Sequence, residues 1–186
     1  IITLTNTQIC DFIKKAENFK LKSINNKLVS LNDIKGDKAT LIMFICNHCP
    51  YVKAIIKDLA KDCNELKKDG INTAAIMSND TKNYPEDSFE NMIKFAKTNN
   101  FSEIYYLIDE TQEIAEKYGA VCTPDFFGYN KSLELQYRGR FRELKDLKPI
   151  NNGDSDLKVA MKMVAQTQKG PDEQIPSMGC NIKWFN

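Results

Sequence analysis

An α/β chain is predicted, with a mixed β-sheet sandwiched between helices, and three observations predict it. Thr40 to Ile45 (TLIMFI) and Ile71 to Met77 (INTAAIM) are short continuous apolar runs, which marks strands buried on both faces. Between them Val52, Ile55, Ile56, Leu59, Cys63 and Leu66 recur at helical spacing. A helix between two buried strands is a crossover, so the strands run parallel. Further on, Phe126 to Tyr129 and Leu133 to Tyr137 alternate about the turn Asn130-Lys131-Ser132, a hairpin that adds antiparallel strands.

The remaining elements follow in order. Residues 1–15 read as a helix, with Ile2, Ile9, Phe12 and Ile13 as its apolar positions. Phe19 to Leu31 reads as an N-terminal β-hairpin turning at Asn25-Asn26, since Asn tolerates positive φ. Cys46 to Pro50 closes the first buried strand and opens a helix to about Lys68. Pro50 suits a first turn, where its missing N–H would have no partner, and Gly70 ends the helix. Ser88 caps a helix from Phe89 to Thr98. Ile104 to Ile108 is a third strand, and Thr111 caps a short helix ending at Gly119. Asp154 to Gln168 is the last helix, with Leu157, Val159, Met161, Val164 and Ala165 apolar and Gly170-Pro171 stopping it. The pairs Tyr105-Tyr106 and Phe126-Phe127 read as sheet core. With no repeat or linker, residues 1–186 read as one domain, of which 171–186 is an irregular tail.

The chain is long enough to bury a core without covalent staples. Its 26 basic and 25 acidic residues leave a net charge of +1, so it lacks the basic footprint of a nucleic-acid or anionic-lipid partner. No apolar run approaches the ~20 residues of a membrane span. Neither nucleic acid nor membrane is expected as a partner. Six cysteines at irregular spacing do not make a disulfide framework, which points to a cytoplasmic compartment.

Two of those cysteines, Cys46 and Cys49, are separated by two residues and enclose His48, the only histidine. Such a pair can form a reversible disulfide, hold a metal, or pack. A helix start favours the first, because its unpaired N–H groups and positive dipole end stabilise a thiolate. On this reading Cys46 is the nucleophile and Cys49 the resolving thiol one turn away. His48, able to donate a hydrogen bond, favours the Cys46 thiolate further and makes the pair more oxidising than one with Pro at that position. Zinc held by Cys46, Cys49, His48, Cys122 and Cys180 is disfavoured, since adjacent His48 and Cys49 do not easily face one ion from a helix start, and no metal is expected. A cis bond at Thr123-Pro124 would turn the Thr123 backbone toward the thiols, where a substrate strand could pair. Thr123 and Pro124 are therefore the candidate substrate-binding residues. Cys122, beside that dipeptide, and Cys180, in the tail, are candidate accessory redox thiols. Cys63 falls on the apolar helix face as core, and Cys10 is incidental.

A Cys-x-x-Cys between buried strand and helix, with Thr-Pro before a hairpin, resembles the thioredoxin fold. Further motifs narrow the likeness: Phe44 to Lys53 (FICNHCPYVK), Ser78-Asn79-Asp80, Asn83 to Ser88 (NYPEDS), Tyr118 to Phe127 (YGAVCTPDFF), Tyr137-Arg138-Gly139 and Gly179 to Trp184 (GCNIKW). Together they resemble the peroxiredoxin-like redoxins of the alkyl hydroperoxide reductase/thiol-specific antioxidant branch, from about Ala16 to Trp184. The resemblance implies a thioredoxin-like sandwich and a thiol–disulfide oxidoreductase with no bound cofactor. Its partners would be a disulfide-containing protein or small-molecule disulfide, and a cellular thiol reductant. It also implies a thiolate-stabilising arginine, for which Arg138 and Arg140 are the candidates. True peroxiredoxins carry a Thr three residues before the reactive cysteine. Here Met43 stands three before Cys46, and Cys46 three before Cys49. That departure favours exchange over the alternative of a peroxidase acting through Cys46. A metal-binding thiol protein without turnover is the other alternative.

Overall fold

The two apolar runs lie side by side at the centre of a seven-stranded sheet in the computed structural model, which describes residues 2–186. The chain runs β1 (Leu4–Asn6), β2 (Lys20–Ser23), β3 (Leu28–Ser30), α1 (Leu31–Ile34), β4 (Ala39–Phe44), α2 (Pro50–Leu66), β5 (Ile71–Met77), α3 (Phe89–Thr98), β6 (Ile104–Ile108) and α4 (Glu113–Tyr118). It continues through β7 (Cys122–Thr123), β8 (Asp125–Asn130), β9 (Leu135–Tyr137), β10 (Leu144–Lys145), β11 (Lys148–Pro149), α5 (Asp156–Thr167) and β12 (Met178–Asn181). The large sheet has the order β3-β2-β6-β5-β4-β8-β9. β4, β5 and β6 are parallel, and both hairpins add antiparallel strands outside them. This is the thioredoxin-like sandwich, with the N-terminal hairpin continuing the sheet through β2 and β6.

Every residue of β4 is buried, and its two faces supply two cores. Leu41 and Met43 pack with α2, α3 and α5, whereas Ile42 and Phe44 pack with α1 and α4. That is the period of two carried into helices on both sides. Helix starts are fixed by side chains. Ser30 and Asp33 exchange hydrogen bonds in a capping box, and the hydroxyls of Ser88 and Ser155 accept from Asn91 and Lys158 N–H. Gly70, at φ 76°, ends the turn that follows α2. No helix among the described residues is long and apolar enough to cross a membrane.

Two expectations for the chain ends are corrected. Residues 2–15 are not a helix, and Ile1 lies outside the described residues. Ile2, Ile9 and Ile13 stay exposed, so no apolar face was there to drive helix docking. The segment satisfies its backbone elsewhere, with β1 on β12 and the N–H groups of Ile13 and Ala16 on the carbonyls of Leu135 and Leu133. Nor is the tail irregular throughout. β12 is the middle strand of a small antiparallel sheet, β1-β12-β7, in the register Cys180↔Thr123 and Asn181↔Cys122. Gly179 permits this approach, because a Cβ there would collide with the Thr123 carbonyl. Two side-chain placements also differ: Val159 and Tyr105 are exposed, each facing away from its element's packed side.

Candidate active site

Pro50 fixes where α2 begins. It occupies the first helical position, so Cys49 is the N-cap, and Cys46 lies three residues earlier, just past β4. The helix start credited to Cys46 therefore belongs to Cys49. The sulfur of Cys49 is fully buried, 2.7 Å from the sulfur of Cys180 and 3.3 Å from the Thr123 carbonyl, to which it donates as a thiol. Cys46 Sγ lies 3.5 Å from the Thr123 hydroxyl.

The three sulfurs divide one charge unequally. The Cys49 thiol is held well below its ordinary value, first by the proton that Cys46 donates to it, and this overcomes the cost of burial. The Cys180 thiol and the N–H groups of Val52 and Cys180 add to the effect. Cys46 is pushed up by that same hydrogen bond, by burial and by the nearby Asp87 carboxylate. Cys180 is pushed up by burial and by its own bond to Cys49, against a pull from Lys183. Of the three thiols, Cys49 at the helix N-terminus is the one whose thiolate its neighbours favour.

Behind it lies a buried polar group that sequence reasoning missed. Asp87 accepts from the Asn47 N–H at 2.8 Å and the Asn79 amide at 2.9 Å. His48 Nδ1 lies 2.7 Å from the same carboxylate, out of line for a full hydrogen bond, and its ring stacks on Tyr84. The Tyr106 hydroxyl donates to the Asn47 side-chain oxygen at 2.8 Å. The contact with Asp87 raises the His48 pKa. His48 thus faces Asp87 rather than donating to a thiol, a correction to its expected role, and it reaches Cys49 only through charge. Asp87 had a signal, in that it directly precedes the cap Ser88. An acid there reads as a partner of the helix dipole, and only the fold shows it turned inward.

The other candidates separate clearly. Thr123-Pro124 is cis and carries the Thr123 backbone to the thiols. The strand edge expected to receive a substrate is already paired with β12, which corrects that expectation. Cys180 is in the cluster. Cys122 is not: its thiol donates to the Pro124 carbonyl at 3.5 Å, and burial pushes it far up. Arg138 and Arg140 do not reach the sulfurs. Arg138 binds Asp125 at 3.0 Å and the Gly119 carbonyl at 2.9 Å, and it lies over the Phe127 ring. Arg140 is held by Asp156 at 2.6 Å. The residues brought to metal-ligating proximity are Cys46, His48 and Asp87, within 4.8 Å of one another, rather than the five-residue set weighed from the sequence. Cys63 is core, and Cys10 is buried rather than incidental at a surface. A cleft of about 510 Å³, lined by Tyr51, Ile55, Pro124, Phe141, Leu144 and Met178 among others, opens at the start of α2 and includes none of the three thiols in its lining.

The signature of the AhpC/TSA family matches residues 13–142. The chain belongs to that family. Its solved relatives include an uncharacterized conserved protein of Geobacillus kaustophilus, 38% identical, with a TM-score of 0.93 over 99% of this chain and 97% of that one. A hypothetical protein of Sinorhizobium meliloti is 35% identical, with a TM-score of 0.89 over 97% and 98%. The thioredoxin domain of a thiol-disulfide oxidoreductase from Bacteroides vulgatus shares the fold at 18% identity and a TM-score of 0.58, over 71% of this chain and 89% of that one. Among curated proteins none matches this sequence. Membership of the AhpC/TSA family places the chain among the thioredoxin-fold redox proteins.

Proposed function

We propose that this protein is a thiol–disulfide oxidoreductase in which Cys49 attacks and Cys46 resolves, the reverse of the order read from sequence. One observation carries the reading: Cys49 is the N-cap residue of α2, 2.7 Å from the Cys180 sulfur, and its neighbours hold its thiol below the ordinary value. The Cys49 thiolate attacks a substrate disulfide, whose sulfur–sulfur bond breaks, and the departing sulfur takes up a proton. Cys46 then attacks Cys49 in the mixed disulfide and the second substrate thiol leaves. The substrate gains two electrons and two protons, and Cys46–Cys49 is left oxidised. A cellular thiol, in a cytoplasmic setting, restores the dithiol. Substrates are protein or small-molecule disulfides, and the dithiol carries the electrons without a bound cofactor.

A second reading, peroxidase action through a sulfenic acid, draws on the full burial of Cys49 under β12, which a small hydroperoxide evades more easily than a protein. The residue three before Cys49 is Cys46 rather than Thr, and among the described residues no arginine hydrogen-bonds the sulfurs, which favours exchange.

Titration against glutathione buffers, with thiols trapped and mapped by mass spectrometry, tests the reading. Cys46 and Cys49 should titrate together as a two-electron couple near or above about −230 mV. Full disulfide-reductase activity in Cys49→Ser would overturn the assignment. Stoichiometric sulfenic acid at Cys49, formed faster by hydroperoxide than disulfide forms by glutathione disulfide, would establish the peroxidase instead.

A further inference from the structure

The slot that a substrate strand would fill beside the cis-proline loop is filled by the protein's own β12, in the register Cys180↔Thr123. The strand presents a cysteine at the point where a bound disulfide substrate would present one. Its sulfur lies 2.7 Å from Cys49 Sγ, and both residues are buried. The placement is held on each side. β1 pairs along the outer edge of β12, and the Ile182 N–H bonds to the Val121 carbonyl. The Lys183 N–H bonds to Asn79, which in turn holds Asp87. Gly179 is the residue that lets β12 reach Thr123 at all.

We propose that Cys180 is a third redox thiol, that β12 is a tethered internal substrate strand, and that Cys49–Cys180 is a second intramolecular disulfide of the reaction cycle. The proposal rests on the exchange reading above and extends it. In the mixed disulfide between Cys49 and a substrate sulfur, the Cys180 thiolate attacks the Cys49 sulfur. The Cys49–substrate bond breaks, the substrate sulfur leaves and takes up a proton, and Cys49–Cys180 forms. Attack by Cys46 on Cys49 then releases Cys180 as a thiol and gives Cys46–Cys49, an isomerisation with no net electron transfer. The upward push on the Cys180 thiol comes from burial and from Cys49; in a mixed disulfide Cys49 carries no charge, which leaves the Lys183 ammonium and the Tyr51 N–H working against burial alone. The oxidising equivalent can therefore rest on either flank of Cys49: on Cys46 just past the end of β4, or on Cys180 in β12.

The full chain is oxidised with glutathione disulfide, quenched in acid, and its disulfide-linked peptides are mapped. Cys46→Ser should lose two thiols and yield the Cys49–Cys180 peptide as its main product. Cys46→Ser with Cys180→Ser should stop at a Cys49–glutathione mixed disulfide. If Cys46→Ser also stops there, with Cys180 free, the proposal is overturned while the exchange reading stands. Should the variants fold poorly, an acid-quenched time course on the unaltered protein decides. Appearance of the Cys49–Cys180 peptide supports the relay, and its absence at every time point while Cys46–Cys49 accumulates refutes it. If Cys49 forms no disulfide under any condition, the exchange reading itself has failed, and the relay fails with it.

Discussion

Six cysteines are buried in this protein, three in the cluster and three apart from it, and only in the cluster is one thiol pulled down. Cys63, packed between α2 and the sheet, has its thiol pushed up to about 12 by burial. Cys10, under the N-terminal segment, is pushed up to about 11, again by burial first, and Cys122 goes higher still. Cys49 is no more exposed than these, yet its pKa moves the other way. The difference lies in what faces the sulfur. Cys63 has apolar neighbours, one threonine hydroxyl and the Asp62 carboxylate, while Cys49 has two neighbouring thiols and the N–H groups of Val52 and Cys180. Desolvation is common to both regions, so donors directed at the anion decide which thiol is reactive.

The comparison can be broken most sharply by exchanging one atom in each region. Cys49→Ser should abolish reduction of an aromatic disulfide followed by absorbance, while Cys63→Ser should leave the rate unchanged. If both variants retain activity, the contrast is wrong. Next in size is the buried pair behind the loop. Arg138→Ala leaves the Asp125 carboxylate, itself fully buried, without its cation and should cost about 3–5 kcal/mol in urea unfolding. The effect would be on stability without a change in the Cys49 pKa, since Arg138 touches no sulfur of the cluster.

Smaller effects sharpen the comparison within the site. Cys46→Ala removes the leading donor to Cys49 and should raise the midpoint of its alkylation rate against pH by about one pH unit, the worth of one hydrogen bond to a charged group. Cys46→Ser, which keeps a donor, should move it less. The smallest effect is a linkage. Cys49 has a depressed pKa in the folded state, so its contribution to stability is present above the ordinary thiol value of 9.0 and is lost as pH falls through the folded value. The raised Cys46 acts on the alkaline side, because its contribution persists below the ordinary value and fades only as pH rises through its folded one. Acidification from pH 9 should therefore lower the stability of the reduced protein relative to the oxidised one, as measured by paired urea titrations. A relative gain by the reduced protein would contradict the charge assignment.

The layers and the location of the dithiol were legible because they rest on local pattern. β4 and β5 are apolar without interruption, α2 has its periodicity, and Cys46 and Cys49 sit where strand gives way to helix. The proposed order of the two thiols was legible in principle. Pro50 at the first helical position makes the preceding residue the cap, and that residue is Cys49. What was not legible depends on distant partners. β1 and β12 are three and four residues long, and neither shows periodicity. They are strands only because they find each other across a separation such as the 170 residues between Thr7 and Ser177. Asp87 and Arg138 look like surface charges until the fold turns them inward onto Asn47 and Asp125.

That pairing of β1 with β12 bears on how the protein is made. As synthesis proceeds from the N-terminus, every strand of the large sheet emerges before Met178 to Asn181 do. Until those four residues leave the ribosome, the cis-proline loop has no strand beside it and Cys49 has no lid. A nascent chain would hold the Cys49 sulfur open to glutathione or to a folding catalyst. Reactivity would then be shut in only when β12 arrives and pairs with β7.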